Sequence, residues 1–182
     1  MAAVGLTPAP ALGSYFLALC PGSVARSALA ALPLPPGAQP VHPDDLHLTV
    51  AFLGPLGDHQ PPSLLAALAP ACALPPPRVT LDASESWPGP RVFCAVGDCP
   101  DVAALAARLW QRLGVLGWVP EARPYQAHVT LARKLPAPFG PRVALPAPIR
   151  WQPGALVLMA STGRTGTGLP RYQTVASLPW GP

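Results

Sequence analysis

Short apolar runs, each cut off by proline or glycine, alternate along this chain with Ala/Leu segments of helical period. Ser14–Cys20 reads as a buried strand that stops at Pro21-Gly22. Ser23–Leu32 reads as a helix with Ser23 as its N-cap. A proline-rich connection leads to a strand at Leu46–Leu53, closed by Gly54-Pro55, and then to a second helix at Ser63–Leu74. Arg78–Ser84 and Arg91–Val96 form a hairpin across Trp87-Pro88-Gly89-Pro90. Val102–Leu116 is the clearest helix, with Leu105, Leu109, Leu113 and Leu116 on one face. Strands follow at Gln126–Lys134, Leu156–Ser161 and Tyr172–Ala176, the last two flanking a Gly163–Gly168 loop that holds Arg164. Strands cluster more than strict strand–helix alternation allows, so the fold class is α+β.

Composition narrows the class. The chain has 182 residues, enough for one domain, which we expect over 14–182 behind a loose segment at 1–13. Its 29 prolines are spread between apolar segments rather than clustered, which fits many short connections and not disorder. Cys20, Cys72, Cys94 and Cys99 include no Cys-x-x-Cys pair and suggest neither a disulfide framework nor a zinc site. The first positive charge is Arg26, so no secretory leader is expected, and no apolar run is long enough to span a membrane. A cytoplasmic monomer without membrane contact is the expectation.

The net charge of +4 hides an asymmetry. Residues 1–101 carry −4, whereas residues 102–182 carry +8. A basic half suits a polyanion such as RNA, although solvated surface charge explains it as simply.

Two strings carry the chemistry: His47-Leu48-Thr49-Val50 and His128-Val129-Thr130-Leu131. Side chains alternate faces on a strand, so His47 and Thr49 point one way, as do His128 and Thr130. Two such tripeptides among 4 histidines arise in only about 1% of shuffled chains of this composition. A single one would read best as a core histidine. His42 and His59 lack the threonine and read as a loop residue and a helix start. Two imidazoles and two hydroxyls on one cleft suit proton transfer at a phosphodiester. One neutral imidazole takes a proton from water and an imidazolium gives one to the leaving oxygen. The threonines can donate to the phosphoryl oxygens. No metal and no cofactor is required.

The chain resembles the 2H phosphoesterase superfamily, and within it the RNA 2′,3′-cyclic phosphodiesterases, also called 2′-5′ RNA ligases. The resemblance rests on Asp45–Gly54 and Arg123–Arg133, with weaker support from Phe16–Leu19, Trp87, Pro90–Val92, Leu156–Leu158 and Tyr172. It implies a bilobal fold of two antiparallel-sheet lobes with outer helices and both tripeptides in a central cleft. It also implies hydrolysis of 2′,3′-cyclic phosphate RNA ends, tRNA fragments among them, to 2′-phosphates. His47 would protonate the 3′ oxygen, His128 would activate water, and Thr49 and Thr130 would hold the phosphate. Reversible, ATP-independent 2′-5′ joining would use the same residues, with an RNA hydroxyl in place of water. Arg133 matches a substrate-contacting position, yet strict alternation puts it on the opposite face unless the strand bulges near Ala132. Tyr125 is a candidate for stacking on a base, or else a core aromatic. Arg164 is a candidate backbone contact. A small cyclic nucleotide or ADP-ribose derivative as substrate, and a non-catalytic RNA-binding module, remain the alternative readings.

Overall fold

The computed structural model describes residues 13–57, 59–164 and 168–181. Nearly all of the expected segment at 1–13, and part of the Gly163–Gly168 loop, lie outside the described residues. The strands are β1 (Tyr15–Leu19), β2 (Gln39–Pro40), β3 (Leu48–Gly54), β4 (Val79–Trp87), β5 (Val92–Val96), β6 (His128–Arg133), β7 (Val143–Trp151), β8 (Ala155–Ser161) and β9 (Tyr172–Pro179). The helices are α1 (Ser23–Ala30), α2 (Pro61–Leu68) and α3 (Pro100–Val115).

All strand pairings are antiparallel, in the order β7-β4-β5-β6-β3-β1-β8-β9, with β2 on β6. The two halves, β7-β4-β5-β6 and β3-β1-β8-β9, meet at a single residue pair, Leu48 with Val129. Beyond it β6 leaves β3 and takes Gln39 and Pro40 as partners instead. The halves therefore splay apart just past their junction. The predicted α+β class and two-lobed sheet are what the chain forms.

Alternation divides the sheet into a packed face and an open one. Leu17, Leu19, Leu48, Val50, Phe93, Ala95, Val129 and Leu131 join the main core with Leu29 of α1, Leu64 and Leu68 of α2, and Leu105, Leu109 and Leu113 of α3. Two small clusters lie apart from that core: Phe16, Ala18 and Met159 in one half, and Val92, Cys94 and Val96 in the other. Their positions alternate along β1 and β5 with the core positions, so they floor the opposite face.

Several expected boundaries move. Ser23 is not the N-cap of α1; Gly22 holds that position with extended backbone, and its carbonyl accepts from Arg26 N at 2.9 Å. The second helix starts at Pro61, tolerated in a first turn, and tightens to a 3₁₀ turn at Ala69–Cys72, where Pro70 supplies no N–H. β7 has no counterpart in the sequence reading because Pro146 and Pro148 argue against a strand. It is an edge strand paired only with β4, and there a missing N–H is tolerated.

Candidate active site

His47 and His128 reach one cleft because of the junction between the halves. The Leu48–Val129 register, carried one residue either way, sets His47 across from Thr130 and Thr49 across from His128. All four line an open cleft of about 440 Å³ on the sheet face away from the helices.

Each imidazole is fixed in the same manner. His47 Nδ1 lies 2.6 Å from the Asp45 carbonyl, and His128 Nδ1 lies 2.9 Å from the Gln126 carbonyl. A carbonyl only accepts, so in both rings Nδ1 carries the hydrogen and donates it. Nε2 is left as a free lone pair in the neutral ring. Aromatic neighbours hold each plane. Phe16 lies 4.8 Å from His47 between ring centroids, Tyr172 meets His47 edge-on at 5.3 Å, and Trp87 lies 4.5 Å from His128.

Burial pulls the His47 imidazolium down to about 4; the Asp45 hydrogen bond opposes this, while the Arg133 charge adds to it. His128 is lowered as well, chiefly by burial, with Arg123 and Arg133 adding to it. Burial pushes the Cys94 thiol up to about 12, so it stays protonated 3.9 Å from Thr130 Oγ1.

Arg133 lines the cleft, and the reason is a β-bulge. Cys94 pairs with Thr130 and Phe93 with Ala132, so Leu131 is the extra residue. Leu131 and Ala132 are both buried, and Arg133 returns to the face of His128 and Thr130. Its Nη2 donates to the Tyr172 hydroxyl at 3.3 Å.

Asp45 anchors the other half. It is 4% exposed, and its carboxylate accepts from Arg171 N at 2.9 Å and Tyr172 N at 3.2 Å. This ties the turn before His47 to the start of β9, which brings Arg171 and Tyr172 into the cleft wall.

Tyr125 does not line the cleft. Its ring packs against the main core, and its hydroxyl donates to the Thr49 carbonyl at 3.0 Å. Arg164 is exposed and also outside the cleft lining. His42 caps the turn at Pro43–Asp45 by accepting from Asp44 N, and His59 packs on Trp118. Sequence reasoning missed Arg123 and Arg171 as cleft residues. Arg123 is legible only as part of the second motif; Arg171 reaches the cleft through the distant Asp45, a contact no local pattern announces. Three arginines line the cleft and, among the described residues, no acidic side chain does, so it suits an anion. No described helix is long and apolar enough to cross a membrane.

Comparison with known proteins bears on the family and the fold. A sequence model of the family described as the 2′-5′ RNA ligase superfamily matches residues 26–165. A Geobacillus stearothermophilus protein named RNA 2′,3′-cyclic phosphodiesterase is 29% identical over 148 residues, 76% of this chain. The match spans only 46% of that relative's own length. Among solved structures, TT0787 of Thermus thermophilus is 28% identical with a TM-score of 0.72, covering 92% of this chain and 97% of that one. E. coli LigT in its apo form is 25% identical with a TM-score of 0.69, covering 94% of this chain and 99% of that one.

Proposed function

This chain belongs to the 2′-5′ RNA ligase superfamily, and on that premise we propose that it opens 2′,3′-cyclic phosphates at RNA ends to give 2′-phosphates. One observation carries the reading. Two imidazoles, each anchored through Nδ1 with Nε2 free, share a cleft with two threonine hydroxyls and an arginine.

The cyclic phosphate binds with its non-bridging oxygens on the Thr49 and Thr130 hydroxyls and the Arg133 guanidinium. His128 Nε2 takes a proton from water as the water oxygen attacks phosphorus. The P–O3′ bond breaks on the opposite side, and the 3′ oxygen takes the proton carried by His47 Nε2. The product is a 2′-phosphate with a free 3′ hydroxyl, and the two imidazoles have exchanged protonation states. No step draws on a metal or cofactor. The bound anion supplies what the free cleft lacks, since its negative charge favours the imidazolium form that burial and arginine disfavour. An RNA hydroxyl in the place of water would run the chemistry toward a 2′-5′ bond with the same residues. The basic half of the chain supports RNA as the partner.

The test is incubation with a short RNA ending in a 2′,3′-cyclic phosphate, in excess EDTA, with identification of the product. Conversion to the 2′-phosphate is the expected result. A 3′-phosphate product, or no conversion by protein that binds the RNA tightly, would overturn the reading.

A further inference from the structure

The cleft does not end at His128. It continues there into a second groove of about 470 Å³, between β3 and the segment that leads into β6. Thr49, Trp87, Arg123 and His128 line both spaces, whereas His47, Thr130 and Arg133 line the cleft alone. Of the two imidazoles, then, only His128 faces the groove. Trp110 of α3, Pro120 and Pro124 line the groove and not the cleft, and make it the more apolar of the two. Trp110 is half-buried, packed against the main core with part of its ring left to the groove. Glu121 brings a carboxylate to the same lining, ion-paired with Arg123.

Hydrolysis has no use for this space, because an attacking water needs no apolar walls. In-line displacement puts the attacking and leaving oxygens on opposite sides of phosphorus. His47 serves the leaving oxygen and His128 the attacking one, so the groove lies on the attacking side. A nucleophile larger than water has its body there. An RNA 5′ end suits the walls, with its base on the Trp110 ring and its 5′ hydroxyl at His128 Nε2. Glu121 decides which kind of 5′ end enters. A hydroxyl end is neutral, whereas a 5′ phosphate would bring negative charge beside the carboxylate. Arg123, which could offset that charge, is already engaged by Glu121.

We propose that the groove beyond His128 is the docking site of an attacking strand, a single-stranded RNA with a 5′ hydroxyl, whose terminal base lies on Trp110 while Glu121 turns away 5′-phosphate ends. This rests on the reading of the cleft as a cyclic phosphodiesterase site and extends it to the joining reaction. The 5′ oxygen attacks phosphorus and gives its proton to His128 Nε2. The P–O3′ bond breaks, and the 3′ oxygen takes the proton carried by His47 Nε2. The product is a 2′-5′ phosphodiester with a free 3′ hydroxyl, and no further reactant is consumed.

The experiment gives the intact protein two short RNAs and follows the joined strand and the 2′-phosphate separately. One RNA ends in a 2′,3′-cyclic phosphate and has a 5′ phosphate; the other has hydroxyls at both ends. In wild type, the rate of joining should saturate with the second RNA. Trp110→Leu should raise the concentration needed for half-maximal joining by at least about fivefold, the low end of what one base–aromatic stack contributes. Hydrolysis, which does not use the groove, should keep its rate, and Trp110→Phe should restore joining. A 5′-phosphorylated RNA should compete poorly with the second strand in wild type and well in Glu121→Gln, a change at an exposed position. Joining that never saturates, or that is unchanged in Trp110→Leu, would overturn the proposal. So would parallel loss of joining and hydrolysis in Trp110→Leu, which means a structural role, or unchanged discrimination in Glu121→Gln. If wild type makes 2′-phosphate and no joined strand, the docking site fails and the phosphodiesterase reading stands. If it makes neither product, both fall.

Discussion

The Arg133 guanidinium donates through Nη2 to the Tyr172 hydroxyl at 3.3 Å, and so joins the second motif strand to the ring that packs on His47. One contact therefore spans both halves of the cleft. Removing the guanidinium removes a charged donor from the phosphate. Arg133→Ala should lower kcat/KM by about 10²-fold, the scale of losing one preorganised donor to a reacting oxyanion. Tyr172→Phe keeps the ring on His47 and loses only the hydroxyl, so it should cost less than about tenfold. Steady-state kinetics on a cyclic-phosphate RNA checks both. Equal losses would mean that Arg133 acts through Tyr172 rather than on the substrate.

Neither histidine can substitute for the other if one gives a proton while the other takes one. His47→Ala and His128→Ala should each lower kcat by about 10² to 10⁴-fold, the usual worth of a positioned acid or base. The double variant should be little worse than either single one, because the two act as a unit. Single-turnover rates on the same RNA decide this. Additive losses would mean that the residues work independently.

How far the sequence discloses this site depends on which interactions are local. The faces of His47, Thr49, His128 and Thr130 follow from strand periodicity, and all four line one cleft. Arg133 defeats simple alternation because a bulge is a property of two strands together. Nothing in His128–Arg133 alone says that Phe93 will skip past Leu131. Asp45 is legible as part of a motif but not as an anchor, since its partners are the backbone N–H groups of Arg171 and Tyr172 far along the chain. β7 escapes a sequence reading because its prolines are tolerated only at a sheet edge, and edges are set by topology.

Asp45 is the group whose loss should loosen the His47 side without touching the substrate. Asp45→Ala leaves the N–H groups of Arg171 and Tyr172 without their acceptor, at a cost of about 1–3 kcal/mol. Asp45→Asn keeps one carbonyl oxygen and should recover part of it. Urea unfolding should rank the three proteins in the order wild type, Asn, Ala, with kcat/KM following the same order. An Asn variant no more stable than the Ala variant would remove the acceptor argument.

Tyr125→Phe tests the hydroxyl of a half-buried ring as a strut. The hydroxyl holds the Thr49 carbonyl at 3.0 Å, and its removal should destabilise the protein by about 1 kcal/mol. The aromatic ring is retained, so a base stacked on it would be unaffected. We expect lower stability in urea, with a fall in kcat that tracks Thr49 displacement and no change in preference among bases. Unchanged stability in urea would mean that the hydroxyl contact to Thr49 holds nothing in place.

The pH dependence tests the electrostatics of the whole cleft. In the free protein His47 is pulled down to about 4, and His128 lies below its ordinary 6.5. Both are neutral at pH 7, yet turnover needs one proton shared between them. The singly protonated form peaks between the two values, whichever ring holds the proton. So kcat/KM should rise as pH falls from 8 through 6.5, approaching tenfold per unit on the alkaline side, and turn over only in the acid range. The bound phosphodiester carries a negative charge that raises both imidazoles, so the profile of kcat itself should lie at higher pH. Arg133 lowers both rings, and Arg133→Ala should move the kcat/KM profile toward higher pH even as its height falls. A kcat/KM that stays flat from pH 5 to 8 in the wild type would mean that neither imidazole transfers the proton that matters.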